Sequence, residues 1–301
     1  MRPREYALLV GLAGVWGLSF VFYRVAVPSL GAGLFAELRV AIAGGALLLY
    51  LAAVGEGRST WRRLRSRGRE YLVVGALNAG IPFTLIGVSE LTLPASYASV
   101  LNATMPLFSV VLARQYLHHA VTGRQVVGLA TGVLGVAVVV GAAPFPLSPA
   151  VLGAVAASTV AAASYACAAV FVRRRMAGVA PLDLTVGQQV TAAAWLLPLA
   201  AFALPTARFP AIAVEAVVAI ALISTVFANI VYFHLLQRVG PTSASTVTFL
   251  MPVFGVVWGN LLLSEPIGLG LVGGFALVLL GVALVTATSP PPPFVRRTAT
   301  P

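Results

Sequence analysis

Apolar positions run through this chain in ten stretches of roughly 20 residues, the length that carries an α-helix across the hydrocarbon core of a bilayer. They fall at about 6–26, 34–54, 71–89, 94–113, 124–142, 149–172, 183–204, 212–234, 242–263 and 266–287. The connections between them are too short to hold a soluble domain, so function is expected inside the membrane. Within a stretch, the few polar residues recur at helical spacing. Ser99, Asn102, Pro106 and Ser109 fall at i, i+3, i+7 and i+10, one stripe on one helix face. The pattern predicts an all-α integral membrane protein of ten transmembrane helices.

The same stripe occurs twice. At a spacing of 146 residues, Ala98-Ser99, Met105-Pro106, Phe108, Leu117, Gly128 and Leu134-Gly135-Val136-Ala137 return as Ala244-Ser245, Met251-Pro252, Phe254, Leu263, Gly274 and Leu280-Gly281-Val282-Ala283. Small apolar matches carry little weight alone. A mid-helix proline carries more, because it removes a hydrogen bond and crowds the turn before it. The first helices of the two halves also match, at a spacing of 149: Val21-Phe22 with Val170-Phe171, Arg24 with Arg173, Leu47-Leu48 with Leu196-Leu197. The chain is therefore expected to hold two repeats, 1–142 and 149–288, followed by a disordered cytoplasmic tail over 289–301. Five helices per repeat is an odd number, so the second copy must enter the membrane from the opposite side. Inverted repeats provide two packings of similar energy and hence alternating access to a central site.

Charge refines the topology. Only 9% of residues are charged and 59% are hydrophobic, which excludes an ordinary soluble domain. The formal charge of +11 comes from nineteen basic residues, all arginine. Sixteen lie in the termini and alternate loops: Arg2 and Arg4; Arg58, Arg62, Arg63, Arg65, Arg67 and Arg69; Arg114 and Arg124; Arg173–Arg175; Arg238; Arg296 and Arg297. The opposite loops hold only Arg24 and Arg208, and Arg39 lies inside the second stretch. This follows the positive-inside rule for a multi-pass protein of the cell (inner) membrane with both termini cytoplasmic. The basic balance thus marks topology and contact with membrane lipids, and no nucleic-acid partner is expected. Cys167 stands alone, so neither a disulfide nor a cysteine-based metal site is available.

The candidate site comes from polar and aromatic residues that a bilayer disfavours unless they face inward. The stripe of Ser99 and Asn102 and its repeat, Ser245 and Thr248, are expected to line a cavity or to pack helices, with Pro106 and Pro252 as helix breaks. Trp16 and Ser19 on the first helix, with Tyr165 at the repeat position, are expected to wall an apolar pocket; Tyr23 reads as an interfacial belt residue. Asn78 and the face carrying Thr225, Asn229 and Tyr232 complete the set. Glu37, Arg39 and His234 are the candidates for a coupling or structural charge. Glu37 and Arg39 are two apart and do not face each other on a helix. Glu90, Glu215 and Glu265 lie near helix ends, where water is expected to reach them. His118-His119 lacks the further ligands of a metal site. No nucleophile elbow, zinc-protease signature or phosphate loop occurs, so no catalytic residue, metal or cofactor is assigned, and transport must run on gradients or be passive.

The run Arg238-Val239-Gly240-Pro241-Thr242-Ser243-Ala244-Ser245, then Leu250-Met251-Pro252-Val253-Phe254-Gly255 and Leu263-Ser264-Glu265-Pro266, resembles the second repeat of EamA-type transporters of the drug/metabolite transporter superfamily. Trp16-Gly17 with Phe20-Val21, and Leu38-Arg39-Val40-Ala41, resemble that family's first two helices. The resemblance spans essentially the whole chain. It implies a ten-helix inverted-repeat fold with a central cavity and export of amino acids, metabolites or toxic compounds. Where many relatives carry a glutamate matching Glu265 in the first repeat, this chain has His119. The small four-helix pumps of the superfamily use a first-helix glutamate, and this chain has Trp16 there instead. The expectation is a secondary exporter of a small-molecule substrate. An importer or bidirectional facilitator of a sugar-like nutrient is the alternative, and a membrane-embedded enzyme is a third reading without a catalytic set. A monomer suffices for the inverted pair, and nothing in the sequence rules out a homodimer.

Overall fold

A computed structural model describes residues 3–117, 120–244 and 246–287. His118-His119, Ser245 and the 289–301 tail lie outside the described residues. Among those described, nine helices are long and apolar enough to cross a membrane. These are span one (Pro3–Leu30), two (Ala32–Ala53), three (Gly68–Glu90), four (Ala95–Leu117), five (Gly123–Gly141), six (Pro149–Arg175), seven (Pro181–Thr206), eight (Ala211–Gly240) and ten (Leu269–Thr286). Span nine, Val247–Leu263, has 17 residues, fewer than expected. Its lead-in begins after Gly240, whose φ of 79° reverses the chain at a conformation few side chains tolerate.

The helices form because long apolar runs must satisfy their backbone internally in lipid. Large side chains such as Leu49, Phe202 and Leu269 remain exposed on the outside, as lipid contact requires. Polar groups concentrate inside: Arg39, Ser99, Thr225 and Gln189 are buried. One feature of the arginine-rich segment was not expected. Residues Gly57–Ser66 form a short helix, with Leu64 buried while Arg58, Trp61 and Arg62 face outward.

The two halves interleave. Spans five and ten pack backbone to backbone: a Cβ added at Gly281 would sit 2.6 Å from the Gly128 carbonyl, and one at Gly274 would sit 2.6 Å from the Val139 nitrogen. Glycine at these positions permits close helix approach, the usual basis of association in lipid. At the arginine-rich end, Arg63 forms a bidentate pair with Asp183, Nε–Oδ2 2.6 Å and Nη2–Oδ1 3.1 Å. The hydrogen bond to Asp183 raises the Arg63 pKa further above its ordinary value. At the other end, the Arg208 amide donates to the Ser29 carbonyl at 2.8 Å.

The two prolines behave differently. Span four breaks at Ala103-Thr104, between Ala95–Asn102 and Met105–Leu117, just before Pro106. Pro106 cannot supply the N–H that would continue the first segment, and Thr104 donates its hydroxyl to the Leu101 carbonyl instead. Pro252 does not break its helix, contrary to expectation. Span nine runs through it, and Pro252 is packed inside.

Spans three and eight each contain a π-helical segment, Ala76–Gly80 and Ile220–Phe227. The first, moved by 146 residues, falls within the second. A π segment shifts the hydrogen-bond register by one residue, frees carbonyls and is frequent at functional sites.

Candidate substrate site

Four of the expected residues, Trp16, Arg39, Asn229 and Tyr232, meet around span eight's π segment. Trp16 donates its indole N–H to the Ser224 carbonyl at 3.1 Å, and Ser224 Oγ donates to the Val15 carbonyl at 3.2 Å. The Trp16 ring lies 5.5 Å from that of Tyr232, and Asn229 Nδ2 donates to the Thr225 carbonyl at 2.6 Å. The stretch of span eight from the π segment to Tyr232, with Trp16 of span one against it, thus gathers Trp16, Ser224, Thr225, Asn229 and Tyr232.

Arg39 approaches the same segment from span two. It lies seven residues into that helix, about 10 Å along its axis. Its Nε donates to Thr225 Oγ1 at 3.1 Å and its Nη1 to the Tyr23 hydroxyl at 2.9 Å. The guanidinium carbon stands 3.7 Å from the centroid of the Phe83 ring. Arg39 therefore neither snorkels outward nor pairs with Glu37; it reaches the second half of the chain. Tyr23, expected at the interface, is 1% exposed and packs against Phe35 with ring centroids 4.6 Å apart and planes tilted by 51°. Tyr165 packs against this same cluster rather than beside Trp16.

A second polar contact joins the halves. Asn78, in span three's π segment, donates to Gln188 Oε1 at 2.7 Å. Gln188 lies seven residues into span seven, and a spacing of 149 maps Arg39 onto it. Ser164 of span six donates to the Leu77 carbonyl at 2.7 Å, the counterpart of the Ser224–Val15 tie between spans eight and one. Each π segment is thus bound to the first and second helices of the other half.

The remaining expected residues sit elsewhere. Ser99 is fully buried, donates to the Ser96 carbonyl and packs so closely on Gly255 that a Cβ there would lie 2.5 Å from it; it is a packing residue. Ser19 is buried on span one. Asn102 is 8% exposed, and its Oδ1 is buried without a partner among the described residues, beside the break in span four. Thr248, its repeat counterpart, is exposed. His234 is exposed near the end of span eight, and Glu37 is buried with Oε2 unpartnered.

Two glutamates correct the expectation of water access. Glu265 is 8% exposed and its carboxylate accepts the Ala95 N–H at 2.7 Å, the Ser96 N–H at 2.9 Å and the Ser96 hydroxyl at 2.6 Å. It caps the N-terminus of span four, where unpaired N–H groups and the helix dipole favour an anion. Glu90 is completely buried and both carboxyl oxygens lack partners among the described residues; Arg24 donates to its backbone carbonyl. Glu215 alone of the three is exposed.

Sequence reasoning missed Gln188, Phe83 and the roles of Ser224 and Thr225. An amide seven residues inside an apolar helix was an available signal for Gln188. Phe83 carried none, since a phenylalanine in a membrane helix is unremarkable until a cation stands over it.

The chain matches the EamA-like transporter family twice, over residues 4–141 and again over 152–287. It belongs to that family. An uncharacterized transporter of Archaeoglobus fulgidus is 27% identical over 282 residues, covering 94% of this chain and 98% of the relative. A probable terminal-alkyne amino-acid exporter of Streptantibioticus cattleyicolor is 28% identical over 273 residues, covering 90% and 89%. A crystal structure at 19% identity shares the fold, with a TM-score of 0.64 over 95% of this chain and 98% of that one. This EamA-like transporter is a multi-pass membrane protein whose polar interior is organised around two π segments.

Proposed function

We propose that this EamA-like transporter is a secondary exporter of small metabolites of the amino-acid class, working by alternating access between inverted repeats. The observation that carries this reading is the pair of matched polar contacts, Arg39–Thr225 and Asn78–Gln188. Spans two and seven begin at opposite ends of the bundle, so the two contacts lie toward opposite faces. Each ties a π segment of one half to the other half. A two-faced carrier needs such a closure on either side of its site, with the chance to break one while keeping the other. The amino-acid class is supported by the exporter name of the Streptantibioticus relative. Both termini lie in the cytoplasm of an inner membrane in this reading, on the strength of the arginine bias.

The test is transport by purified protein in liposomes across a panel of amino acids and other small metabolites, under imposed proton, sodium and solute gradients. Counterflow of at least one amino acid, faster with the solute loaded on the arginine-rich face, is expected. No movement of any amino acid under any gradient overturns the reading. Counterflow confined to sugars replaces it with the nutrient-facilitator alternative.

A further inference from the structure

We infer that Arg39 is the anchor for a carboxylate of the transported solute, so that the site selects acids and zwitterions over the corresponding amines. The inference rests on the transporter reading above and assigns the chemistry of its site.

Arg39 is 8% exposed, packed among helices about 10 Å into span two, and its charge cannot be removed by deprotonation. A buried ion carries a large desolvation penalty, which is offset only where an opposite charge stands close with good geometry. No carboxylate lies within 4.0 Å of it among the described residues, where the ion pairs are those of Arg63 with Asp183 and Glu56. Its partners are all neutral: a phenol, a threonine hydroxyl and an aromatic face. Glu37, the nearest acid in sequence, holds its Oε2 in a separate buried position without forming an ion pair.

The geometry of the guanidinium adds a second argument. Nε is committed to Thr225 and one Nη1 hydrogen to Tyr23, while the stack on Phe83 fixes the plane. The other Nη1 hydrogen and both Nη2 hydrogens stay uncommitted. Nη2 has no acceptor among the described residues, and it is not one of the fully buried orphan atoms, which include oxygens of Glu37, Glu90, Asn102 and Gln189. A guanidinium held in place with Nη2 free and one Nη1 hydrogen to spare is a donor group that a carboxylate can accept from with charge-assisted hydrogen bonds. Tyr232, seven residues on from Thr225 in span eight, and Trp16 of span one, whose ring lies 5.5 Å from it, would supply an apolar wall for the rest of the solute.

The test uses matched pairs as probes: leucine with isoamylamine, and phenylalanine with phenethylamine. Binding to the purified full chain is read by thermal shift and by tryptophan fluorescence, and counterflow is measured in liposomes. The acid of at least one pair is expected to bind at least tenfold more tightly than its amine. Arg39→Gln is expected to abolish that preference while eluting as a folded protein, and Arg39→Lys to retain part of it. Equal binding of acid and amine, unchanged acid affinity in Arg39→Gln, or binding of neither acid overturns the anchor. Should the wild type export an amine or sugar and Arg39→Gln do so equally well, the anchor fails while transport stands. If the wild type moves none of the solutes tested, the transporter reading itself fails. If both variants misfold, the acid–amine preference of the wild type still decides.

Discussion

The contacts at Arg39 and at Gln188 occupy equivalent places and differ in one property, charge. Both residues lie seven positions into their span, and both reach a π segment of the opposite half. The Asn78–Gln188 contact is a neutral amide pair that satisfies part of its own hydrogen-bonding needs. The Arg39–Thr225 contact places an obligatory cation against neutral groups and leaves Nη2 without an acceptor among the described residues. Helix packing needs only the first kind. The difference teaches that the repeat preserves where the halves are tied together, while the chemistry at each tie is free to diverge. On the anchor proposal, the charged tie is the one suited to an anionic group.

Making the two contacts alike is the strongest way to break this comparison. Arg39→Gln places an amide at both positions, and transport of the carboxylate solute is expected to fall about 100-fold, the worth of roughly 3 kcal/mol of charge-assisted hydrogen bonding. Counterflow in liposomes at matched protein density checks it; a change below threefold would show that the charge has no part in transport. The neutral contact predicts a different pattern, on stability. Asn78→Leu alone strands Gln188 and is expected to destabilise by about 1–3 kcal/mol, whereas Asn78→Leu combined with Gln188→Met is expected to lie within about 1 kcal/mol of wild type. Apparent melting temperatures in detergent give the order, and additive losses would disprove the pairing. The smallest effect is expected from Thr225→Val, which removes one acceptor from Arg39 and leaves its charge and its Phe83 stack in place. A two- to tenfold loss in acid affinity is the expected size for one hydrogen bond. A loss as large as that of Arg39→Gln would mean that Thr225 acts through the π segment and not through Arg39.

How much of this was readable beforehand varied with the kind of residue. The spans were legible because a bilayer imposes composition and length on each helix separately. Trp16, Asn229 and Tyr232 were singled out for a related reason: a polar or aromatic group in an apolar helix declares itself. Their mutual arrangement was not legible, and Tyr165 shows why. The repeat places it opposite Trp16, yet it packs with Tyr23, because a sequence spacing does not say which neighbouring helix a face meets. The pattern left Ser99 open between cavity lining and packing, since a buried serine whose hydroxyl bonds within its own helix leaves the same sequence pattern as a cavity-lining one. Glu90 and Glu265 were misjudged because position at a helix end says nothing of what covers that end. Pro106 and Pro252, equal in sequence context, differ in outcome because a proline's missing hydrogen bond ends a helix only where the surrounding packing allows the turn to open.

The amino-acid sequence by itself determined the membrane class, the ten apolar segments, the duplication and the family resemblance. These follow from local composition and from residues repeated at fixed spacing, properties that each segment carries alone. Tertiary structure alone decided that Arg39 meets Tyr23, Phe83 and Thr225, that Gln188 meets Asn78, and that Glu265 caps span four from 170 residues away. Those pairings depend on how whole helices pack across the two halves, and on a one-residue slip of hydrogen-bond register in spans three and eight. Neither leaves a mark on the order of residues within a single helix.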